Sequence, residues 1–153
     1  MTRKQIVFIV CILLIVELIW INSSLPVQQS RAQSGSVQQV LNWIISRLGS
    51  SVTLSVHLVR KFAHIVEYSL LGSVTALFVI IFFTKIRWYH IWNAFSFVLI
   101  VAVVDESIQI LSGRGPLISD VLIDMGSAIM ATMLLFTANW LIRRLRRKRT
   151  VDS

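Results

Sequence analysis

The stretch LVRKFAHIVEYSLLGSVTALFVIIFF, residues 58–83, joins a cluster of polar side chains to a long apolar run. It is long enough to cross a bilayer, because about 20 apolar residues in a helix span the hydrocarbon core. Three further apolar runs have a similar length and cover about residues 6–21, 88–110 and 119–142. The sequence therefore predicts an all-α fold, an integral membrane four-helix bundle.

Composition indicates that the whole chain is one membrane domain. Of its 153 residues, 56% are hydrophobic and 14% are charged, and the mean hydropathy is +0.76. Soluble domains carry about 25% charged residues. A chain of this length has no room for a second folded domain, so we interpret residues 1–153 as a single unit. The single cysteine, Cys11, excludes an internal disulfide.

The first apolar run has two interpretations. Arg3 and Lys4 precede it, as basic residues precede the core of a cleaved signal peptide. However, the run is at the long end for a signal core, it contains Glu17, and the region near Ala32 is a poor cleavage site. We therefore interpret this run as an uncleaved first helix.

The one sizeable hydrophilic stretch lies between the first two apolar runs. Residues 28–36 are rich in Gln, Ser and Gly, which predicts a loop. Apolar residues then recur at helical spacing, which predicts a short amphipathic helix over about 37–48, capped by Ser34 or Ser36. This helix could lie flat on the outer leaflet or pack over the mouth of the bundle.

The distribution of Lys and Arg predicts the orientation of the spans. With both termini in the cytoplasm, ten basic residues lie inside and five lie outside, which agrees with the positive-inside rule. Six of the ten belong to residues 143–149, which we expect to bind anionic lipid. Nucleic acid is not an expected partner, because the sequence has no basic face with interleaved aromatic residues.

Polar side chains gather at the outer boundary of three predicted spans. An acidic residue costs roughly 2.5 to 3.5 kcal/mol at the centre of a spanning helix and less near its end. Five carboxylates in one layer therefore indicate a polar site. The carboxylates are Glu67, Asp105, Glu106, Asp120 and Asp124, and the residues among them are Arg60, Lys61, His64, Tyr68, Gln109 and Arg114.

We assign two kinds of role to this layer. His64 or Glu67 is a candidate general base near a substrate, since desolvation and neighbouring charge can adjust such groups for proton transfer. The full set of catalytic candidates is His64, Glu67, Asp105 and Glu106. Arginine offers a bidentate fork to phosphate or carboxylate, so the basic residues are expected to hold a ligand. The ligand-binding candidates are Arg60, Lys61, Tyr68, Gln109, Arg114, Asp120 and Asp124.

Purely structural roles are the alternative for several of these residues. Asp120 is well placed to stabilise the start of the fourth span, with Ser119 as its N-cap. His64 and Glu67 could form an internal hydrogen-bonded pair. Arg114 follows a glycine in a turn and is expected to fold back onto a carboxylate of another segment. The expected partners of Arg114 are Asp105, Glu106 and Asp120.

A divalent cation is a weaker hypothesis for the same layer. The oxygens of Asp105, Glu106 and Asp120 suit Mg²⁺ or Ca²⁺, which are hard ions. Their spacing matches no metal-binding motif, so the sequence predicts no cofactor and no metal ligand.

Four strings of the polar layer carry a resemblance to a known family. They are RKFAHIVEYSLLG (60–72), DESIQ (105–109), GR (113–114) and DVLIDMG (120–126). Together they resemble the VanZ-like family, small bacterial membrane proteins named after a teicoplanin-resistance protein. The resemblance implies a location in the bacterial cytoplasmic membrane and a link to glycopeptide susceptibility, and it implies no settled reaction. Many members have a histidine where this chain has Ile108.

Two functions are therefore expected. The first is a non-catalytic protein of the cell envelope that binds an outer-leaflet membrane lipid, or a lipid-linked or cell-wall-related ligand, at the polar site. The alternative is a membrane enzyme that acts on a phosphorylated lipid or cell-wall precursor by general acid/base chemistry. We favour the first, because the sequence contains no recognisable pair of nucleophile and base. The oligomeric state is not predicted.

Overall fold

The computed structural model of the chain describes residues 1–113 and 118–149, with side chains up to residue 145. These residues form five α-helices and no strand, which confirms the all-α fold class for the described ranges. The helices are α1 (Arg3–Ser24), α2 (Val27–Arg47), α3 (Val56–Phe82), α4 (Trp88–Leu111) and α5 (Ile118–Arg149).

Four of the helices are long and apolar enough to cross a membrane. They are α1, α3, α4 and the part of α5 from Ile118 to Leu145. Each of these helices begins within three residues of the start of its predicted run. The helix α1 is three residues longer than its predicted run at each end. The prediction of a multi-pass membrane protein is confirmed, while the side on which the termini lie stays a prediction.

The segment between α1 and α3 differs from its prediction. The helix α2 is continuous over Val27–Arg47, so the predicted loop over residues 28–36 is wrong and a separate short amphipathic helix is not confirmed. Neither Ser34 nor Ser36 caps a helix, because Pro26 occupies the N-cap position with φ −53°. Gly35 is the one helix-weakening residue in the stretch, and its cost of about 1 kcal/mol relative to alanine is small enough for the helix to continue.

The second half of α2 is attached to the segment that leads into α3. The Asn42 side chain accepts a hydrogen bond from the Leu54 backbone N–H at 2.8 Å, and the Gln38 side chain donates to the Leu54 carbonyl at 2.7 Å. These bonds hold α2 against α3. The opposite face of α2 leaves apolar side chains exposed, including 60% of Trp43, as expected for a helix in contact with lipid.

The closest helix pair is α3 with α5, which run in the same direction. Gly72 of α3 lies so near Ala128 of α5 that a Cβ on Gly72 would stand 2.5 Å from the Ala128 carbonyl oxygen. The Thr132 hydroxyl donates a hydrogen bond to the Gly72 carbonyl at 3.1 Å. Small residues allow such close approach between membrane helices. This contact fixes the register that brings the beginnings of α3 and α5 together.

Among the described residues, hydrogen bonds join α1 to α4 at two levels. The Ser112 hydroxyl at the end of α4 donates to the Ser23 carbonyl at 3.1 Å, and the Trp20 indole N–H donates to the Val101 carbonyl at 3.5 Å. The end of α1 is therefore fixed beside the end of α4, at the same end of the bundle as the beginnings of α3 and α5.

Candidate functional site

Three side chains from three helices meet at this end of the bundle. The His64 Nδ1 atom lies 3.7 Å from Asp105 Oδ2 and 3.7 Å from Asp124 Oδ2. One ligand atom from each of the three residues lies within 4.8 Å of the others. The predicted convergence of three segments is thus present in the structure. We call these residues the His–Asp–Asp cluster.

The cluster is buried more deeply on its acidic side than on its histidine side. The Asp105 side chain is 0% exposed, that of Asp124 is 4% exposed, and that of His64 is 17% exposed. Two carboxylates this close inside a protein require a shared proton or a compensating positive charge, because burying an isolated charge is costly. A proton on His64 or a bound cation can supply that charge.

Hydroxyl and amide groups surround the Asp105 carboxylate. The Gln109 side chain, one helical turn later, donates a hydrogen bond to Asp105 Oδ2 at 3.1 Å. The hydroxyls of Tyr68 and Ser23 face the same carboxylate. Tyr68 was a predicted site residue, whereas Ser23 was missed, since polar residues at the end of a span are ordinary at a membrane boundary. The signal in the sequence is that Ser23 belongs to three consecutive polar residues, 22–24, directly after the first apolar run.

The rim of the site contains an ion pair between α3 and α5. Lys61 Nζ lies 3.4 Å from Asp120 Oδ1, and the two side chains are 30% and 17% exposed. Asp120 does lie in the first turn of α5. Ser119 is inside the helix, which begins at Ile118, so its predicted role as N-cap is wrong. A partly exposed ion pair of this kind contributes about 0 to 1 kcal/mol to stability.

Glu67 is held by α1. The Asn22 side-chain amide donates to Glu67 Oε1 at 2.7 Å, in a partly buried position. Asn22, like Ser23, was not among the predicted site residues. The last turn of α1 therefore contributes to the site, and the prediction of an internal His64–Glu67 pair stays untested.

Arg114 and Glu106 are two further residues of the predicted site. Arg114 lies outside the described residues, so its predicted pairing stays a prediction. Glu106 is partly buried and adjoins Asp105 on α4, and the His–Asp–Asp cluster does not include it. The cluster thus differs from the predicted cation set of Asp105, Glu106 and Asp120. Asp124 lies beside His64 in the cluster, whereas Asp120 contacts Lys61.

A cavity of about 400 Å³ lies between α2 and α3. We call it the α2–α3 cavity. Its wall is largely apolar, and the polar members include Arg60, His64 and Glu67. A second space, about the size of one water molecule at ≈ 10 Å³, adjoins His64 and Asp124 on the other side. His64 therefore borders both the α2–α3 cavity and the cluster.

The comparisons with known proteins agree with the motifs. The family model described as VanZ/LLP1 matches residues 8–142, which is nearly the whole chain. The matched range includes all three residues of the His–Asp–Asp cluster and the wall of the α2–α3 cavity. Neither the curated proteins nor the solved structures contain a match to this chain. The chain belongs to the VanZ-like family.

Proposed function

We propose that the protein binds a phosphorylated lipid of the outer leaflet, either a phospholipid or a lipid-linked cell-wall precursor, in the α2–α3 cavity. The observation that carries this proposal is the combination of an apolar wall and an arginine in one cavity at the polar end of the bundle. Ligand cavities of about 300 to 1,000 Å³ are typical for small molecules, and this one has a volume of about 400 Å³.

The apolar part of the wall fits hydrocarbon. Val37 and Leu41 from α2 face Val59, Phe62 and Val66 from α3. An acyl or prenyl chain between the two helices would cover this apolar surface. This part of the cavity supports a lipid rather than a soluble metabolite as the ligand.

The polar part of the wall fits a phosphate. Arg60 is partly buried and borders the cavity, and a guanidinium binds phosphate oxygens in a bidentate manner. The neighbouring Lys61 is already close to Asp120, and Glu67 accepts a bond from Asn22. Arg60 is therefore the cation that we expect to contact the head group.

The location of the cavity supports an envelope role. The positive-inside distribution supports an extracytoplasmic location for the polar end of the bundle, where lipid-linked precursors of the cell wall are exposed. A protein that retains such a lipid changes which lipids are accessible to a glycopeptide at the membrane surface. We propose this as the link to teicoplanin susceptibility, in the bacterial cytoplasmic membrane.

Native mass spectrometry of the purified chain tests the binding proposal. The probes are phosphatidylglycerol, polyprenyl phosphate and the zwitterionic phosphatidylcholine. We expect an anionic probe to bind at one copy per chain, and Arg60→Gln and Val37→Trp to weaken that binding at least 10-fold. The matched control is Arg47→Gln, which removes a basic residue of α2 that stacks on Trp43 outside the cavity.

Equal retention of all three lipids by the wild-type chain and by both cavity variants would contradict the proposal. Preference for polyprenyl phosphate over phosphatidylglycerol would assign the ligand to the lipid-linked class. The opposite preference would assign it to the phospholipids.

Acid/base catalysis on a phosphorylated lipid is the second candidate function. It is supported by the position of His64, which borders the cavity and lies 3.7 Å from two buried carboxylates. Incubation with polyprenyl diphosphate, followed by detection of inorganic phosphate, tests it. If the protein is an enzyme, the Asp105→Asn variant should still bind the lipid, but the release of phosphate should stop. If the protein only binds the lipid, the wild-type chain should release no inorganic phosphate.

A further inference from the structure

We propose that His64, Asp105 and Asp124 bind one divalent first-row transition-metal ion, of which Zn²⁺ is the representative. This inference is independent of the proposed lipid ligand, since it concerns the buried side of His64 and not the α2–α3 cavity. It also differs from the cation set that the sequence suggested, which consisted of Asp105, Glu106 and Asp120.

The distances in the cluster suit ligands of one ion. His64 Nδ1 lies 3.7 Å from each aspartate oxygen, which is longer than the 2.7 to 3.2 Å of a direct N–H···O hydrogen bond. Ligand atoms at about 2.0 to 2.2 Å from a tetrahedral Zn²⁺ lie about 3.3 Å from one another. The two separations of His64 from the aspartates are therefore within a few tenths of an ångström of the value for ligands of one ion, and a bound water would supply the fourth ligand.

A second observation comes from side chains outside the cluster. The Tyr68 hydroxyl belongs to a residue that is 0% exposed, and the Ser23 hydroxyl belongs to one that is 1% exposed. Both face Asp105. Within the described part of the chain, these two hydroxyls and Asp105 Oδ1 complete no hydrogen bond of regular geometry. Buried polar oxygens normally have partners, and an ion with its bound water would supply them.

The types of ligand select the class of metal. Mg²⁺ and Ca²⁺ prefer oxygen ligands alone, whereas an imidazole nitrogen with two carboxylates suits Zn²⁺ or another first-row ion. Gln109 donates to the Asp105 oxygen that faces His64, as outer residues commonly orient the ligands of a metal site. The small space beside His64 and Asp124 provides room for entry from the rim.

The test uses the full-length chain, freed of metal with a chelator and then titrated with Zn²⁺ or with Co²⁺ as a spectroscopic probe. We expect one Zn²⁺ per chain by elemental analysis and visible d–d absorption bands on adding Co²⁺. We also expect Zn²⁺, but not Mg²⁺, to raise the thermal midpoint of the wild-type chain. His64→Ala and Asp124→Asn should each lower the affinity at least 10-fold, because changes to outer-shell residues alone cost about 10- to 100-fold.

Two matched variants control for binding elsewhere. His57→Ala removes a histidine about two turns earlier on α3, and Asp120→Asn removes the carboxylate of the Lys61 pair. Both should bind Zn²⁺ as the wild-type chain does. A wild-type chain without stoichiometric Zn²⁺ would overturn the proposal, because protonated His64 between two aspartates would then account for the cluster. Retention of full affinity by His64→Ala would overturn it as well.

Discussion

The contact between Gly72 and Ala128 gives a quantitative prediction, because α3 and α5 leave no room for a side chain between them. A Cβ on Gly72 would stand 2.5 Å from the Ala128 carbonyl oxygen and 2.8 Å from its Cα. Ordinary van der Waals contact begins at about 3.5 Å, so Gly72→Ala must separate the two helices by about 1 Å. Both clashing atoms belong to the backbone, which cannot rotate away as a side chain can.

The expected cost follows from two terms. Overpacking of a well-packed contact costs about 1 to 3 kcal/mol. Separation of the helices also weakens the 3.1 Å hydrogen bond from Thr132 to the Gly72 carbonyl, worth about 0.5 to 1.5 kcal/mol. The higher helix propensity of alanine offsets up to about 1 kcal/mol of this cost. We therefore expect Gly72→Ala to lower the free energy of unfolding by about 1 to 3 kcal/mol, and Gly72→Val to lower it further.

The assay is equilibrium unfolding of the purified chain in detergent micelles, followed by loss of helicity. Gly126→Ala is the matched control, since a Cβ on Gly126 meets nothing within 4 Å and alanine favours a helix. It should leave stability equal or slightly increased. If Gly72→Ala unfolded at the same denaturant concentration as the wild-type chain, the close approach of α3 and α5 would be refuted.

Three further predictions concern the rim, α2 and the topology. Lys61→Met should change stability by no more than about 1 kcal/mol, because its pair with Asp120 is partly exposed at the rim; a larger loss by thermal unfolding would mean that the pair is buried in the membrane. Asn42→Ala should speed hydrogen exchange across α2 about 10-fold, since it removes the side chain that accepts the Leu54 N–H bond at 2.8 Å; unchanged exchange would show that α2 is held by other contacts. In a Cys11→Ser background, a cysteine at Ser34 should react with a membrane-impermeant maleimide added outside intact cells, and one at Ser153 should not. The reverse labelling pattern would place the polar end of the bundle in the cytoplasm.

The spans and the depth of the site could be predicted from the sequence. A bilayer admits helices of a fixed length, so an apolar run determines both the element and its boundaries. Because the boundaries set depth, His64, Asp105 and Asp124 could be assigned to one layer before any contact was known. Depth alone, however, does not say which side chains in a layer touch.

The choice between Asp120 and Asp124 illustrates that limit. Both lie on one face of α5, one turn apart, and both are acidic. The parallel register of α3 and α5 decides their roles, because it sets Asp120 beside Lys61 and Asp124 beside His64. That register depends on the Gly72 contact with Ala128, which is a long-range contact that spacing along one helix does not reveal.

The beginning of α2 could not be predicted for a different reason. Residues 28–36 contain polar residues and a glycine, which occur as readily in loops as in surface helices. The helix is stabilised by packing against α3, where Ser30 is buried, and most helices in proteins depend on such tertiary contacts rather than on propensity. The contributions of Asn22 and Ser23 were missed because they come from the end of a fourth segment.

The central claim, that the α2–α3 cavity holds a phosphorylated lipid, is tested most directly by an experimental structure of the chain in a nanodisc of phosphatidylglycerol and polyprenyl phosphate. We expect elongated density between Val37 and Phe62, ending in a phosphate at about 2.7 to 2.9 Å from the Arg60 guanidinium. A cavity closed by the side chains of α2, with lipid density confined to the outer faces of the bundle, would contradict it.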